Sequence, residues 1–352
     1  YVRHKPKRHG AEAPFQRFPT WMWRNEEVEA FTRWLREHNA EQSAGARVGF
    51  YGLDIYNLGA SMRAVIDYLD RIDPEAASIA RERYGCLTRW QHDPATYGRA
   101  SIRSGFAACE AGVVTMLRDL LNKKLEYLHA DGERFLDASA NARLVASAER
   151  YYRLMYYGGA DSWNLRDSHM FETLEQVLSA RGPNAKAIVW AHNSHIGNAA
   201  ATEMGLVHGE HNIGQLCRER FGSSAVLIGF GTDRGTVAAA SDWDAPMQVM
   251  QVRPAHRDSI ERYCRDSRVP AFTLDLREEG GHDDLRYALT EPKLERAIGV
   301  VYRPDSERLS HYFDAALSRQ FDGYVWFEET TAVTPLAGAR RGGEDETYPF
   351  GL

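Results

Sequence analysis

The sequence predicts an α/β protein: a three-layer α/β/α core with a mostly parallel sheet, and a helical subdomain inserted between strands. Short apolar runs bounded by turn residues read as buried strands: Val48 to Ile55 (VGFYGLDI), Lys186 to Trp190 (KAIVW) and Ala225 to Phe230 (AVLIGF). Long stretches of helical spacing separate these runs, and strands alternating with helices favour a parallel sheet. Residues from about 60 to 157 are helical throughout, too long for one crossover, and so read as an insertion. Three segments follow: 1–59 as part of the α/β core, 60–157 as the helical subdomain, and 158–352 as the rest of the core with a C-terminal tail.

In chain order, Asn25 followed by Glu26 and Glu27 is a helix N-cap with acids in the first turn. Val28, Phe31 and Leu35 then share a face that Trp34 widens, and Asn39 with the Ser-Ala-Gly stretch ends the helix. Inside the helical block, Met62, Val65, Ile66 and Leu69 have helical spacing, as do Val113, Met116, Leu117, Leu120 and Leu121. A long helix from Phe135 to Tyr157 closes on Gly158 and Gly159, and another runs from Asp161 to Leu178. Gly231-Thr232-Asp233-Arg234-Gly235 reads as a turn into Thr236 to Ala240, a hairpin. Phe272 to Leu276 and Tyr324 to Phe327 are further strands, and Ala337 to Leu352 a surface tail.

Composition narrows the function. The 352 residues are 43% hydrophobic and 26% charged, ordinary for a globular chain with a sizeable core. A net charge of -6 argues against a general nucleic-acid binder, and the basic run Arg3 to Arg8 reads as a solvated surface segment. No run approaches the ~18 apolar residues a membrane span needs, and no signal peptide is visible. Cys86, Cys109, Cys217 and Cys264 form no CxxC pair and read as buried thiols of a reducing compartment, so a cytoplasmic location is expected.

Ligands of parallel sheets bind beyond the carboxyl ends of strands. One predicted strand ends Gly52-Leu53-Asp54, and another ends Ala191-His192-Asn193-Ser194-His195. Two histidines and an amide at a strand exit are costly to bury without partners, and imidazoles can serve as base, acid or oxyanion donor. Asp54 either orients one of them or caps the turn. On the helix from Asp161, Asp167 shares the buried stripe of Met170 and Leu174, and Arg166 lies beside it. That suggests an Arg166–Asp167 ion pair pointing inward; the other reading presents Arg166 to a carboxylate, phosphate or oxyanion. His169 reads as partly exposed. Trp21, Trp23, Tyr151, Tyr152, Tyr156, Tyr157 and Trp163 could line a cleft for a bulky ligand, although each alone is core-like. His192-x-x-His195 and His208-x-x-His211 have metal-ligand spacing but lack the HExxH pattern. Ser194 lacks the Gly-x-Ser-x-Gly context of a nucleophile elbow, and no nucleotide-binding glycine motif occurs.

Phe18 to Asn39, Val48 to Leu58, Tyr151 to Leu178 and Ile188 to Ala199 (IVWAHNSHIGNA) occur in an order and spacing that resemble the erythromycin esterase family, and Thr347 to Leu352 resembles the end of many members. The resemblance implies an α/β/α core with a helical subdomain, a small-molecule ester substrate, hydrolysis by a histidine-activated water aided by glutamates, and no obligatory metal or other cofactor. It places His192 and His195 in the site; Asn193, Asp54, Arg166, Asp167 and Trp23 are the supporting residues that the reading of the residues themselves adds. It implies a bacterial enzyme akin to macrolide-resistance proteins, with no membrane or nucleic-acid partner, and leaves an oligomer open. The family also carries a base histidine and glutamates in an upstream strand motif, roughly Gly-Glu-x-x-His-Gly, that these residues lack. The expectation is a chain that starts just after that motif: if these residues are the whole polypeptide, no esterase turnover and an open hydrophobic sheet edge follow, and if upstream residues carry the motif, turnover is open to it. Two rival readings accompany this one: a metal-dependent hydrolase using His192, His195 and Asp54, and a non-catalytic binding protein.

Overall fold

A computed structural model describes residues 1–4, 19–91, 94–103, 107–157 and 159–336, with backbone alone for 124–133 and 279. The C-terminal tail with Thr347 to Leu352, Gly158 and most of the basic run lie outside the described residues. The chain divides into two compact units, one formed by Tyr1–Gly52 with Ile228–Leu352, the other by Leu53–Leu227.

The first unit begins with α1 (Thr20–Trp23) and α2 (Glu26–Ala40). Asn25 caps α2 as its sequence predicts, its Oδ1 accepting the Val28 amide at 2.7 Å. Val28 and Leu35 are buried, whereas Trp34 stands in solvent and stacks on His38 at 5.7 Å. Trp21 is core, its indole N–H donating to the Ala238 carbonyl at 3.0 Å.

The second unit is largely helical and carries α3 (Leu58–Ile72), α4 (Pro74–Thr88), α5 (Pro94–Ser101), α6 (Glu110–Asn122), α7 (Lys124–Leu154), α8 (Asp161–Arg181), α9 (Asn193–Ile196), α10 (Glu203–Leu206) and α11 (Ile213–Phe221). The spacing read from the sequence is the packing: Met62, Val65 and Leu69 of α3 and Val113, Met116 and Leu120 of α6 are buried. Helix α7 packs against α3, α5, α6 and α8. Cys86 of α4 and Cys109, which caps α6, form a disulfide with Cα atoms 5.7 Å apart. This corrects the expectation of four reduced thiols; Cys217 and Cys264 are free, and burial raises the Cys217 thiol to about 11.

The rest of the first unit holds β1 (Ile228–Ala239), β2 (Gln248–Val252), α12 (Ile260–Asp266), β3 (Ala271–Asp275), α13 (Asp283–Ala288), β4 (Lys293–Arg296), α14 (Glu307–Ser310), β5 (Tyr312–Ala315), α15 (Leu317–Gln320) and β6 (Gly323–Thr330). Its main sheet runs β2-β1-β6-β3, and β4 pairs with β5 apart from it. Of these ladders among the described residues β1–β6 is parallel, and β1–β2, β3–β6 and β4–β5 are antiparallel. The architecture is therefore mixed α/β with a small, mostly antiparallel sheet, and not the mostly parallel three-layer core expected.

Two physical reasons underlie the difference. Gly231 to Gly235 is not a turn but the middle of one long strand. The first part of β1 pairs with β6, and its last part leaves β6 to pair with β2. Gly235 is the hinge: its φ is +118°, and a Cβ there would lie 1.9 Å from the Thr330 carbonyl oxygen. Second, the apolar runs 48–55 and 186–190 belong to no ladder among the described residues. Val48, Phe50 and Tyr51 are exposed in the first unit, and Ile188, at 99%, in the second. Asn39, fully buried, supplies in part what a neighbouring strand would, bonding the Val48 amide at 2.8 Å and the Val48 carbonyl at 2.9 Å.

Candidate active site

The polar residues singled out in the sequence converge around α8 and α9 of the second unit, apart from Trp23, which lies in α1 of the other unit. Below them is a small apolar core of Met170, Leu174 and Ile213, against which Leu53, Val189 and Ile196 pack. It anchors the segments that deliver Asp54 and His192. The buried stripe of α8 is Trp163, Asp167, Met170 and Leu174, so Asp167 is turned into the interior with no exposure at all.

His192 is the N-cap of α9. Its Nδ1 accepts the Ser194 amide at 3.2 Å and faces the Ser194 hydroxyl at 2.8 Å. A nitrogen that accepts a backbone N–H carries no proton, so in the neutral ring the proton sits on Nε2 and His192 is a donor there. One turn on, His195 has the opposite arrangement. Its Nδ1–H donates to both oxygens of Asp167, at 2.9 and 3.1 Å. In the neutral ring its Nε2 is then the basic nitrogen, and that atom makes no hydrogen bond among the described residues. Asp167 also accepts the Ile213 amide at 3.1 Å, and the Asn212 side chain donates to the Ser194 carbonyl at 2.7 Å. Asn193, buried, opens α9 and accepts the Gly197 amide through its carbonyl at 2.9 Å.

The expected Arg166–Asp167 pair does not form. Consecutive helix residues point about 100° apart, and the two take different partners. Arg166 reaches Asp54 as a fork, Nε to Oδ1 at 2.9 Å and Nη2 to Oδ2 at 2.7 Å. Its guanidinium lies 4.8 Å over the Tyr56 ring, whose hydroxyl meets that of Tyr151 at 2.8 Å. Partial desolvation opposes the charge of Asp54. The Arg166 guanidinium, with the Ile55 amide and His195, nevertheless holds its carboxyl below the usual range. Asp54 thus accepts the amide of the next residue, Ile55, as well as the Arg166 fork.

His169 is not partly exposed. It is 5% accessible, and its ring makes no hydrogen bond among the described residues. Burial brings it down to about 4 against the pull of Asp54, so it is neutral at physiological pH. Its spacing had placed it off the main stripe, but α8 is covered on more than one face. Two further neighbours adjoin the pair: Trp163, which the sequence suggested only as a cleft aromatic, and Glu210, which it left unassigned. Trp163 stacks on His195, and burial raises the Glu210 carboxyl above its usual range, with His208 opposing and Asp167 adding to it.

The metal-ligand spacings do not assemble a metal site: among the described residues no group of three or more His, Cys, Asp or Glu is placed to hold an ion. The Nε2 of His211 is engaged by the Ser168 hydroxyl at 2.8 Å and the Asn164 carbonyl at 3.1 Å, and His208 is exposed. Among the described residues no helix is long and apolar enough to cross a membrane.

Solved structures share the fold. A succinoglycan biosynthesis protein is 20% identical with a TM-score of 0.75, over 96% of this chain and 77% of its own. A protein from Bacillus cereus is 19% identical with a TM-score of 0.76, over 93% and 77%. The erythromycin esterase EreC, solved as a mutant in an open conformation, is 17% identical with a TM-score of 0.59, over 97% and 80%. The erythromycin esterase family model matches residues 1–330. The chain belongs to the erythromycin esterase family, and with it to hydrolases of the esterase type.

Proposed function

We propose that the protein hydrolyses a carboxylic ester or lactone of a small molecule, with His195 as the general base that activates water. The observation that carries this is the pair of different Nδ1 partners, the Asp167 carboxylate for His195 and the Ser194 amide for His192, which favours opposite tautomers in the two neutral rings. One ring then offers a basic Nε2 and the other an Nε2–H donor, which is what addition of water to a carbonyl requires.

In this reading His195 Nε2 takes a proton from water as the oxygen bonds to the carbonyl carbon. Asp167 stabilises the imidazolium that forms. The carbonyl π electrons move to oxygen, and His192 Nε2–H donates to that oxyanion. When the tetrahedral intermediate collapses, the C–O bond to the alcohol breaks and the leaving oxygen takes the proton back from His195. The products are a carboxylic acid and an alcohol, and His195 is returned neutral. Arg166, held by Asp54, supports the charge around the site. No metal enters this scheme. Turnover of a panel of aryl and alkyl esters and macrocyclic lactones by the protein and by its His195→Ala and His192→Ala variants tests it. A fall of about 100-fold or more for His195→Ala at unchanged thermal stability is expected. Full turnover by that variant would overturn the reading.

A further inference from the structure

We propose that Trp163 is a positioning residue for His195, its indole face fixing the plane of the imidazole and favouring the ring's charged form during turnover; the inference rests on the esterase reading above. The two rings are stacked with centroids 4.6 Å apart and planes within 5°. Bonding to Asp167 fixes how the imidazole is rotated in its own plane, and the stack fixes the plane itself. Together they determine where Nε2 points. The face of an indole is the best aromatic partner for a cation, so the stack is worth more once His195 has taken the proton of water. Asp167 bonds the ring, and Asp54, paired with Arg166, interacts with it electrostatically.

The indole is itself held. Trp163 is 6% exposed, and its N–H donates to the His211 carbonyl at 2.9 Å. The His211 amide donates to Asn164 Oδ1 at 2.8 Å, and Asn164 Nδ2 donates to the Gly209 carbonyl at 3.0 Å. With the Ser168 hydroxyl against His211 Nε2, the segment 209–211 is stitched to the first turns of α8. The ring that stacks on the base is therefore clamped at its N–H by backbone.

Trp163→Leu keeps an apolar side chain but removes the aromatic face, and Trp163→Phe keeps a face. Trp163→Leu is expected to lower kcat about 2- to 30-fold with little change in KM, the range such a stack spans from exposed to desolvated sites. Trp163→Phe is expected to recover most of that loss. The emission of Trp163, taken as the difference between the protein and Trp163→Phe, is expected to be quenched as His195 takes a proton, and the quench to vanish in His195→Gln. This readout needs no turnover, so it stands even if the esterase reading fails. Wild-type kcat in Trp163→Leu, an equal kcat loss in the Leu and Phe variants, or emission indifferent to His195 would each overturn the proposal.

Discussion

Replacing Asp167 with Asn separates the chemistry of the site from its folding. The carboxylate is fully buried and accepts the His195 Nδ1–H at 2.9 and 3.1 Å and the Ile213 amide at 3.1 Å. An Asn of the same shape can still accept through its carbonyl, so the Ile213 amide keeps a partner. Its NH2 group then stands where Oδ2 was, 3.1 Å from the ring nitrogen, so Nδ1 either donates to the one carbonyl oxygen that the Ile213 amide also uses or accepts from the NH2. In the second case the ring proton moves to Nε2, which removes the base. An imidazolium formed in turnover would also lose its counter-charge. A charge-assisted hydrogen bond is worth about 1.5–3 kcal/mol, so stability should fall by roughly that amount or less. Turnover should fall much further, by about 10²- to 10⁴-fold, since both tautomer and charge are wrong. Steady-state kinetics on one good ester, with urea unfolding of the same preparations, gives both numbers. Wild-type kcat in a folded Asp167→Asn variant would refute the role assigned to the pair.

The remaining predictions concern stability. His169 is buried neutral and titrates at about 4 when folded, whereas an ordinary histidine takes its proton near pH 6.5. The depressed value means that its contribution is fully present above about pH 6.5 and is lost as pH falls toward 4, on the order of 3 kcal/mol in all. Urea unfolding at pH 7 and pH 4.5 should therefore show a smaller difference in His169→Gln than in the parent; an unchanged difference would count against the burial argument. The Cys86–Cys109 disulfide closes a loop with a sequence separation of 23, which corresponds to about 3 kcal/mol of restricted unfolded chain. Reduction, or Cys86→Ser with Cys109→Ser, should lower Tm by several degrees, and mass spectrometry under non-reducing conditions should find the cross-linked peptides.

Much of this arrangement was legible in the sequence, and the parts that were not share a physical cause. Asn25 announces α2 because an N-cap acts through its own next turn. The faces of α3 and α6 are legible because burial follows the helical period. His192 and His195 stand out because an apolar run rarely ends in so many groups that need partners. Pairings across long sequence distances were not legible. Asp167 and His195 are 28 residues apart, and Arg166 and Asp54 are 112 apart. The near neighbour on the helix was the only partner that spacing could suggest for Arg166. The disulfide is hidden for the same reason, since two cysteines on different helices have no spacing rule. The sheet was misjudged because an apolar run looks alike with or without a ladder partner: 228–230 joined β1, whereas 186–190 joined no ladder among the described residues.

The most direct test of the central claim is the hydrolysis rate of His195→Gly with and without added imidazole. General-base catalysis is worth about 10²- to 10⁴-fold. The site described here predicts a loss of that size and a partial, saturable recovery as free imidazole takes the place of the missing ring. A His195→Gly variant that hydrolyses esters as fast as the parent would contradict it.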